Sequence, residues 1–295
     1  MRVAALGEAM IELTMRNGTA DVGVAGDTLN TAVYLARSAP SLQVDYVTRL
    51  GDEAFSDRIR AFIAAQGVGT GRIEVEPNAM PGLYAITTDA AGERSFSYWR
   101  ATSAARRVFS DTGFAALEGF DVIYLSGISL AILPAQARDA LIDWLHEFRK
   151  AGGRVAYDSN HRPALWPDAA TARQVNSRLW ALCDIALPSL DDEMAIAGED
   201  AGTVTARFVA LGKSGALKRG SDGPLCLETG HGTGFPAAPK VVDTTAAGDS
   251  FNGGYLAARL TGASQADALR AGHDLAARVV QHRGAILPVG PARTG

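Results

Sequence analysis

Residues 241–260 read VVDTTAAGDSFNGGYLAARL: a strand end, a turn of small residues, then a helix with Asp249 and Ser250 in its first turn. Small side chains at Ala246, Ala247 and Gly248 leave the backbone N–H groups of the helix start open to an anion. The helix dipole adds partial positive charge at the same point. The same residues also suit an ordinary helix start, with Asp249 as cap and Gly248 as turn residue. The two readings differ in whether Asp249 is available for chemistry.

The wider pattern separates them. Residues 243–249, Asp-Thr-x-Ala-Ala-Gly-Asp, closely resemble the second signature of the ribokinase-like (PfkB) carbohydrate kinases, usually Asp-Thr-x-Gly-Ala-Gly-Asp. The resemblance implies that Asp249 is the catalytic base and that the turn at Ala246, Ala247 and Gly248 is the anion hole. Phosphoryl transfer is mainly positioning and charge neutralisation, with a carboxylate to accept the hydroxyl proton, so these residue types suit that chemistry. Ala246 replaces a glycine; its methyl excludes only backbone angles that need glycine.

Three further stretches carry the likeness. Gly26-Asp27-Thr28-Leu29-Asn30 resembles the family's first signature, Gly-Gly-Asn-x-x-Asn, with Ala25 and Asp27 as departures. It implies that Gly26 lets a sugar approach the backbone and that Asp27 and Asn30 bind its hydroxyls; by residues alone, Asp27 is equally a helix cap. Leu217-Lys218-Arg219-Gly220-Ser221-Asp222-Gly223 resembles the strand and turn that run along the nucleotide, which implies contacts from Lys218, Gly220 and Gly223, although SDG is also plain turn chemistry. Ser189 and Asp192 stand where the family has Asn-x-x-Glu, a motif that orders the water around Mg2+; Glu193, next to Asp192, leaves the choice of acid open. His273 lies in a helix that the resemblance puts near the adenine of ATP.

Outward from these motifs, apolar runs suited to buried strands recur at 2–7, 44–50, 122–128, 154–158, 184–188 and 215–218, most of them separated by segments of helical period. That alternation predicts an α/β fold with a parallel sheet covered by helices. Residues 134–150 give the clearest helix, with Leu141, Leu145 and Phe148 on one face and Gly152-Gly153 after it; 249–261 and 264–282 are also helical. GLYAITTD at 82–89 and ERSFSYWR at 93–100 read as a hairpin turning at Ala90, Ala91 and Gly92. With the strands of 8–24 it forms a small sheet over the carboxyl ends of the main strands, where ligands of open α/β folds bind. The expectation is a ribokinase-like three-layer fold, one domain over 1–295, with a mainly parallel central sheet and a small β-sheet lid from about 8–24 and 82–103.

Composition sets outer limits. The chain has 295 residues, 47% hydrophobic and 20% charged, which suits a folded globular protein and not a disordered one. A net charge of −4 gives no electrostatic reason to expect nucleic acid or an anionic membrane as partner. Cys183 and Cys226 lie in apolar stretches without CxxC spacing and read as buried free thiols, and the acidic, short apolar N-terminus reads as a first strand; both point to a cytoplasmic protein. Gly212-Lys213-Ser214 imitates the end of a Walker A loop, but Arg207 stands where that loop needs glycine. The five histidines show no HxxxH or HExxH spacing for zinc.

Within the family the chain looks most like the kinases of 2-keto-3-deoxygluconate. Tyr84 in GLYAI, Tyr98 and Arg100 in SYWR, and Asp158, Asn160 and Arg162 in DSNHRPALW fall at positions that line the sugar pocket there. A sugar acid suits paired hydrogen bonds from a planar guanidinium, so Arg100 and Arg162 are the candidate carboxylate contacts, although either can be a structural salt-bridge residue. The implied reaction is ATP- and Mg2+-dependent phosphorylation of the terminal hydroxyl. The alternatives are a kinase for a neutral sugar or nucleoside, and a non-catalytic sugar-binding protein on the same fold. A homodimer through the lid is the expected assembly.

Overall fold

The computed structural model describes residues 1–16, 18–88 and 94–288. In chain order they form β1 (Arg2–Leu6), β2 (Met10–Arg16), β3 (Thr19–Ala25), α1 (Asp27–Ser38), β4 (Gln43–Leu50), α2 (Ala54–Ala65), β5 (Ile73–Val75), β6 (Gly82–Thr88), β7 (Arg94–Trp99), β8 (Val122–Ser126) and α3 (Gly127–Ala131). There follow α4 (Ala135–Lys150), β9 (Arg154–Asp158), α5 (Ala169–Leu182), β10 (Ile185–Ala186), α6 (Leu190–Ala197), α7 (Ala201–Ala210), β11 (Ser214–Leu217), β12 (Leu225–Cys226), α8 (Ala247–Leu260) and α9 (Gln265–Val279).

Eight strands make the central sheet, in the order β12-β11-β10-β9-β8-β1-β4-β5. Every neighbouring pair is parallel except β11–β12. Side chains alternate across each strand, so the sheet has two buried faces. Ala4, Leu6, Ile123 and Leu125 pack with α4, α5 and α7. Val3, Ala5, Val122 and Tyr124 pack with α1, α2, α8 and α9. This is why the central strands read as continuous apolar runs.

The second sheet has the order β3-β2-β6-β7, with β2 and β6 parallel and the two outer pairs antiparallel. The chain enters it from the carboxyl ends of β1 and β5, so it grows from the end of the main sheet that carries the candidate motifs. The turn expected at Ala90, Ala91 and Gly92 lies outside the described residues.

Several boundaries differ from the sequence reading, and the residues before α8, read as a strand end, form no strand. The run at 122–128 is strand only to Ser126, because Ser126 and Ser129 form a reciprocal capping box that starts α3 at Gly127. The run at 184–188 gives a two-residue strand, Ile185–Ala186. Among the described residues, no helix is long and apolar enough to cross a membrane.

Glycines fix where α8 lies. A β-carbon at Gly253 would sit 2.5 Å from Tyr34 Cβ, and one at Gly254 would sit 2.8 Å from the Ala271 carbonyl oxygen. Helix α8 thus touches α1 and α9 at backbone distance. A side chain at either glycine would move the helix and carry Asp249 with it.

Candidate active site

No side chain caps α8. Its N-cap is Ala246, at φ 59° and ψ 20°, and Asp249 is the third helical residue. The left-handed angle is one that glycine adopts freely and alanine only at a cost of about 1–2 kcal/mol. The methyl of Ala246 therefore falls where the backbone does demand glycine-like angles, contrary to the mild substitution expected. That conformation closes a turn in which the Ala247 N–H donates to the Thr244 carbonyl at 3.1 Å. The N–H groups of Ala246, Gly248 and Asp249 have no acceptor among the described residues. The open donors differ by one from the expected set, since the Ala247 amide is used inside the turn.

Asp249 is half-buried, and its Oδ2 accepts from Asn30 Nδ2 at 2.8 Å. Asn30 stands on α1, whose N-cap is Gly26, again without a side-chain cap. Asp27 is therefore not the cap of its helix: its Oδ2 accepts from Ser126 Oγ at 2.5 Å and Asn160 Nδ2 at 2.7 Å. Gly26 is required by crowding, because a β-carbon there would sit 2.4 Å from the Glu8 carbonyl oxygen.

Behind Asp249 lies a buried charge pair. Lys218 Nζ, at the end of β11, is 2.8 Å from Asp158 Oδ1 at the end of β9. Asp158 Oδ2 accepts from Asn252 Nδ2 at 2.6 Å, and Asn252 also donates to the Tyr124 hydroxyl. Lys218 Nζ would lie 3.6 Å from a β-carbon on Gly248, so the cation stands beside the open turn. Burial raises the pKa of Asp249 to about 8, helped by the charges of Asp27 and Asp158; the Asn30 hydrogen bond and Lys218 oppose the shift. Two acceptors here, Asn30 Oδ1 and Asn252 Oδ1, are buried without a hydrogen-bond partner among the described residues.

The remaining predicted residues divide. Ser189 and Lys218 are bridged side by side. Gly220 and Gly223 have φ values of 56° and 73°, and a β-carbon on Gly223 would strike Phe235. His273 packs its ring on Phe235 and contacts the Pro236 carbonyl oxygen at 2.9 Å, so it joins the same strip. The Asp192 carboxylate accepts from the His161 N–H at 3.1 Å; burial raises its pKa, and Asp158 nearby adds to the rise. Glu193 is not brought to this cluster: its carboxylate is buried against Trp180 Nε1 and Arg207, and burial lifts its pKa to about 7. Among the described residues, no group of three or more His, Cys, Asp or Glu side chains is arranged to hold a metal ion.

On the small sheet, the rings of Tyr84 and Tyr98 lie 5.6 Å apart, and the Tyr84 hydroxyl donates to Glu12. Arg100 is ion-paired with the buried Glu8. Arg162 is exposed, donates to the His161 carbonyl and has no ion pair among the described residues. Asn252, Tyr124, Ser126 and Glu8 escaped the sequence reading. The one signal was Asn252, a polar residue one turn after Asp249 on an otherwise small and apolar helix face.

A helix start with open amides can hold an anionic group, and here a carboxylate able to take a proton and a lysine stand beside it. The chain matches the pfkB family carbohydrate kinase model over residues 2–292, and it belongs to that family. It is an ATP-dependent sugar kinase. The 2-dehydro-3-deoxygluconokinase of Dickeya dadantii (strain 3937) is 45% identical, with 97% of each chain covered. That of Escherichia coli (strain K12) is 44% identical with the same coverage. The crystal structure of aminoimidazole riboside kinase from Salmonella enterica, complexed with aminoimidazole riboside and an ATP analogue, shares the ribokinase-like fold at a TM-score of 0.83 and 24% identity, over 97% of this chain and 95% of that one.

Proposed function

We propose that this kinase transfers the γ-phosphoryl group of ATP to the terminal (6-) hydroxyl of 2-keto-3-deoxygluconate, the sugar acid for which its relatives in Escherichia coli and Dickeya dadantii are named. The chemistry rests on one observation: the Asp249 carboxylate, held by Asn30, at the open start of α8. Asp249 takes the hydroxyl proton as the oxygen attacks in line. The N–H groups of Ala246, Gly248 and Asp249, with Lys218, face the charge on the transferred group.

Gly26, Asp27 and Asn30 receive the sugar, whose hydroxyls satisfy the orphaned Asn30 Oδ1. Arg162 takes its carboxylate through paired hydrogen bonds. Tyr84, Tyr98 and Arg100 close over it from the small sheet, which acts as a lid on a single domain. Ser189, Lys218, Gly220, Gly223 and His273 line the nucleotide. Among the described residues no three carboxylates converge as a direct metal cage, which suits Mg2+, an ion that would keep most of its waters. Asp192 orders that water; Glu193 is committed to Trp180 and Arg207. Bound Mg2+ neutralises phosphate charge.

The small sheet ends in the edge strand β7, where Phe96, Tyr98 and Trp99 are exposed. An apolar edge of this kind is protected by pairing, which favours a homodimer through the lids in the cytoplasm. A second reading has a specific basis: Glu8 already balances the charge of Arg100, which suits a neutral sugar. A coupled ADP-release assay across 2-keto-3-deoxygluconate, its galacto epimer, fructose and ribose decides between them. The acid sugars should give the highest kcat/KM, and Arg162→Ala should raise their KM about tenfold or more. Preference for neutral sugars, or indifference to Arg162→Ala, overturns the acid-sugar reading.

A further inference from the structure

We infer that Glu8 is a positioning residue that fixes both Arg100 and the small sheet, and through them the affinity for the sugar. The inference rests on the sugar site proposed above. Glu8 lies in the three-residue passage between β1 and β2 and is 1% exposed. A carboxylate this deep needs partners, and it has two: Arg100 Nη2 and Ser103 Oγ, the latter at 2.5 Å.

The chain passes between the two sheets four times, and Glu8 touches each passage. It is itself the first. The second, from β3 to α1, passes Gly26, where a β-carbon would meet the Glu8 carbonyl oxygen. The third enters β6 at Gly82, where a β-carbon would sit 2.6 Å from Glu8 Oε1. The fourth leaves β7 through Arg100 and Ser103, and Ala104 N–H ties it to the Met80 carbonyl of the third at 2.8 Å. A tilt of the small sheet against the large one would therefore disturb the contacts of this one residue, through its carboxylate at the third and fourth passages and its carbonyl at the second.

Arg100 is held in the same grip. One terminal nitrogen is bound to Glu8, while its Nε is buried and lacks an acceptor among the described residues. The guanidinium is thus fixed in orientation with a donor still unused. Balanced by Glu8, it recognises a ligand by direction more than by net charge.

The test is a double-mutant cycle of Glu8→Gln, Arg100→Met and the double variant, with KM for sugar and for ATP measured separately. Glu8→Gln should raise the KM for 2-keto-3-deoxygluconate about tenfold and leave the KM for ATP within about twofold; on the Arg100→Met background it should add less than about twofold. Ser103→Ala, a milder change that spares the charge pair, should shift the sugar KM in the same direction by about two- to threefold and be silent on Arg100→Met. Additive effects in the cycle, or equal rises in both KM values, overturn the proposal. Should the wild type prefer a neutral sugar, the acid-sugar reading falls, and the cycle run on that neutral sugar still decides whether Glu8 acts through Arg100.

Discussion

Asn30 and Asp249 are 219 positions apart in the chain, yet Asn30 Nδ2 donates to Asp249 Oδ2 at 2.8 Å. This bond joins the starts of α1 and α8 and brings a side-chain amide to a carboxylate beside open backbone donors. The chemistry proposed for the site, and its response to pH, follow from that junction.

Burial and the neighbouring charges of Asp27 and Asp158 raise Asp249 to a pKa of about 8. A base must be deprotonated to act, so kcat/KM of the free enzyme should climb with pH and level off only above about pH 8. Asp27→Asn removes the largest charge contribution and should move that limb to lower pH. A pH–rate profile reads the position of the limb independently of its height, so a weakened sugar affinity does not obscure the result.

The same shift has a sign for stability. A carboxyl whose folded pKa lies above its unfolded value stabilises the fold below the unfolded pKa, near 4, and that contribution is lost as pH rises through about 8. Asp249→Asn keeps the shape and the acceptor for Asn30 but cannot ionise. Its Tm should exceed that of the wild type by roughly 2–5 °C near pH 9 and equal it near pH 4. Calorimetry at the two pH values measures the difference.

Lys218 is shared between Asp158 and the turn at Gly248. Lys218→Met should raise the KM for ATP and lower kcat, each by about tenfold or more, with sugar affinity little changed. Since Lys218 opposes the upward shift of Asp249, the acidic limb should also move to higher pH. Steady-state kinetics at several pH values separates the two effects.

The layered sheet was legible because period-2 burial on two faces leaves continuous apolar runs, and the hairpin because β6 and β7 alternate. The start of α8 was legible as a string of small residues. Its left-handed Ala246 was not, because nothing local marks alanine for that angle; closure of the turn on Thr244 imposes it. Nor was the Lys218–Asp158–Asn252 chain, since it exists only once β9, β11 and α8 are laid side by side. Asp192 and Glu193 are neighbours in sequence but about 100° apart around α6, so one accepts from the His161 N–H and the other from Trp180 Nε1. Glu8 looked like an interruption of an apolar run, and its partners lie 92 and 95 residues away.

The role of Asp249 is tested most directly by rapid-quench measurement of the phosphoryl-transfer step in Asp249→Asn, alongside equilibrium binding of sugar and ATP. The step should slow by at least about a hundredfold while both ligands bind as in the wild type. A near-normal chemical step in that variant would contradict the assignment of Asp249 as the base.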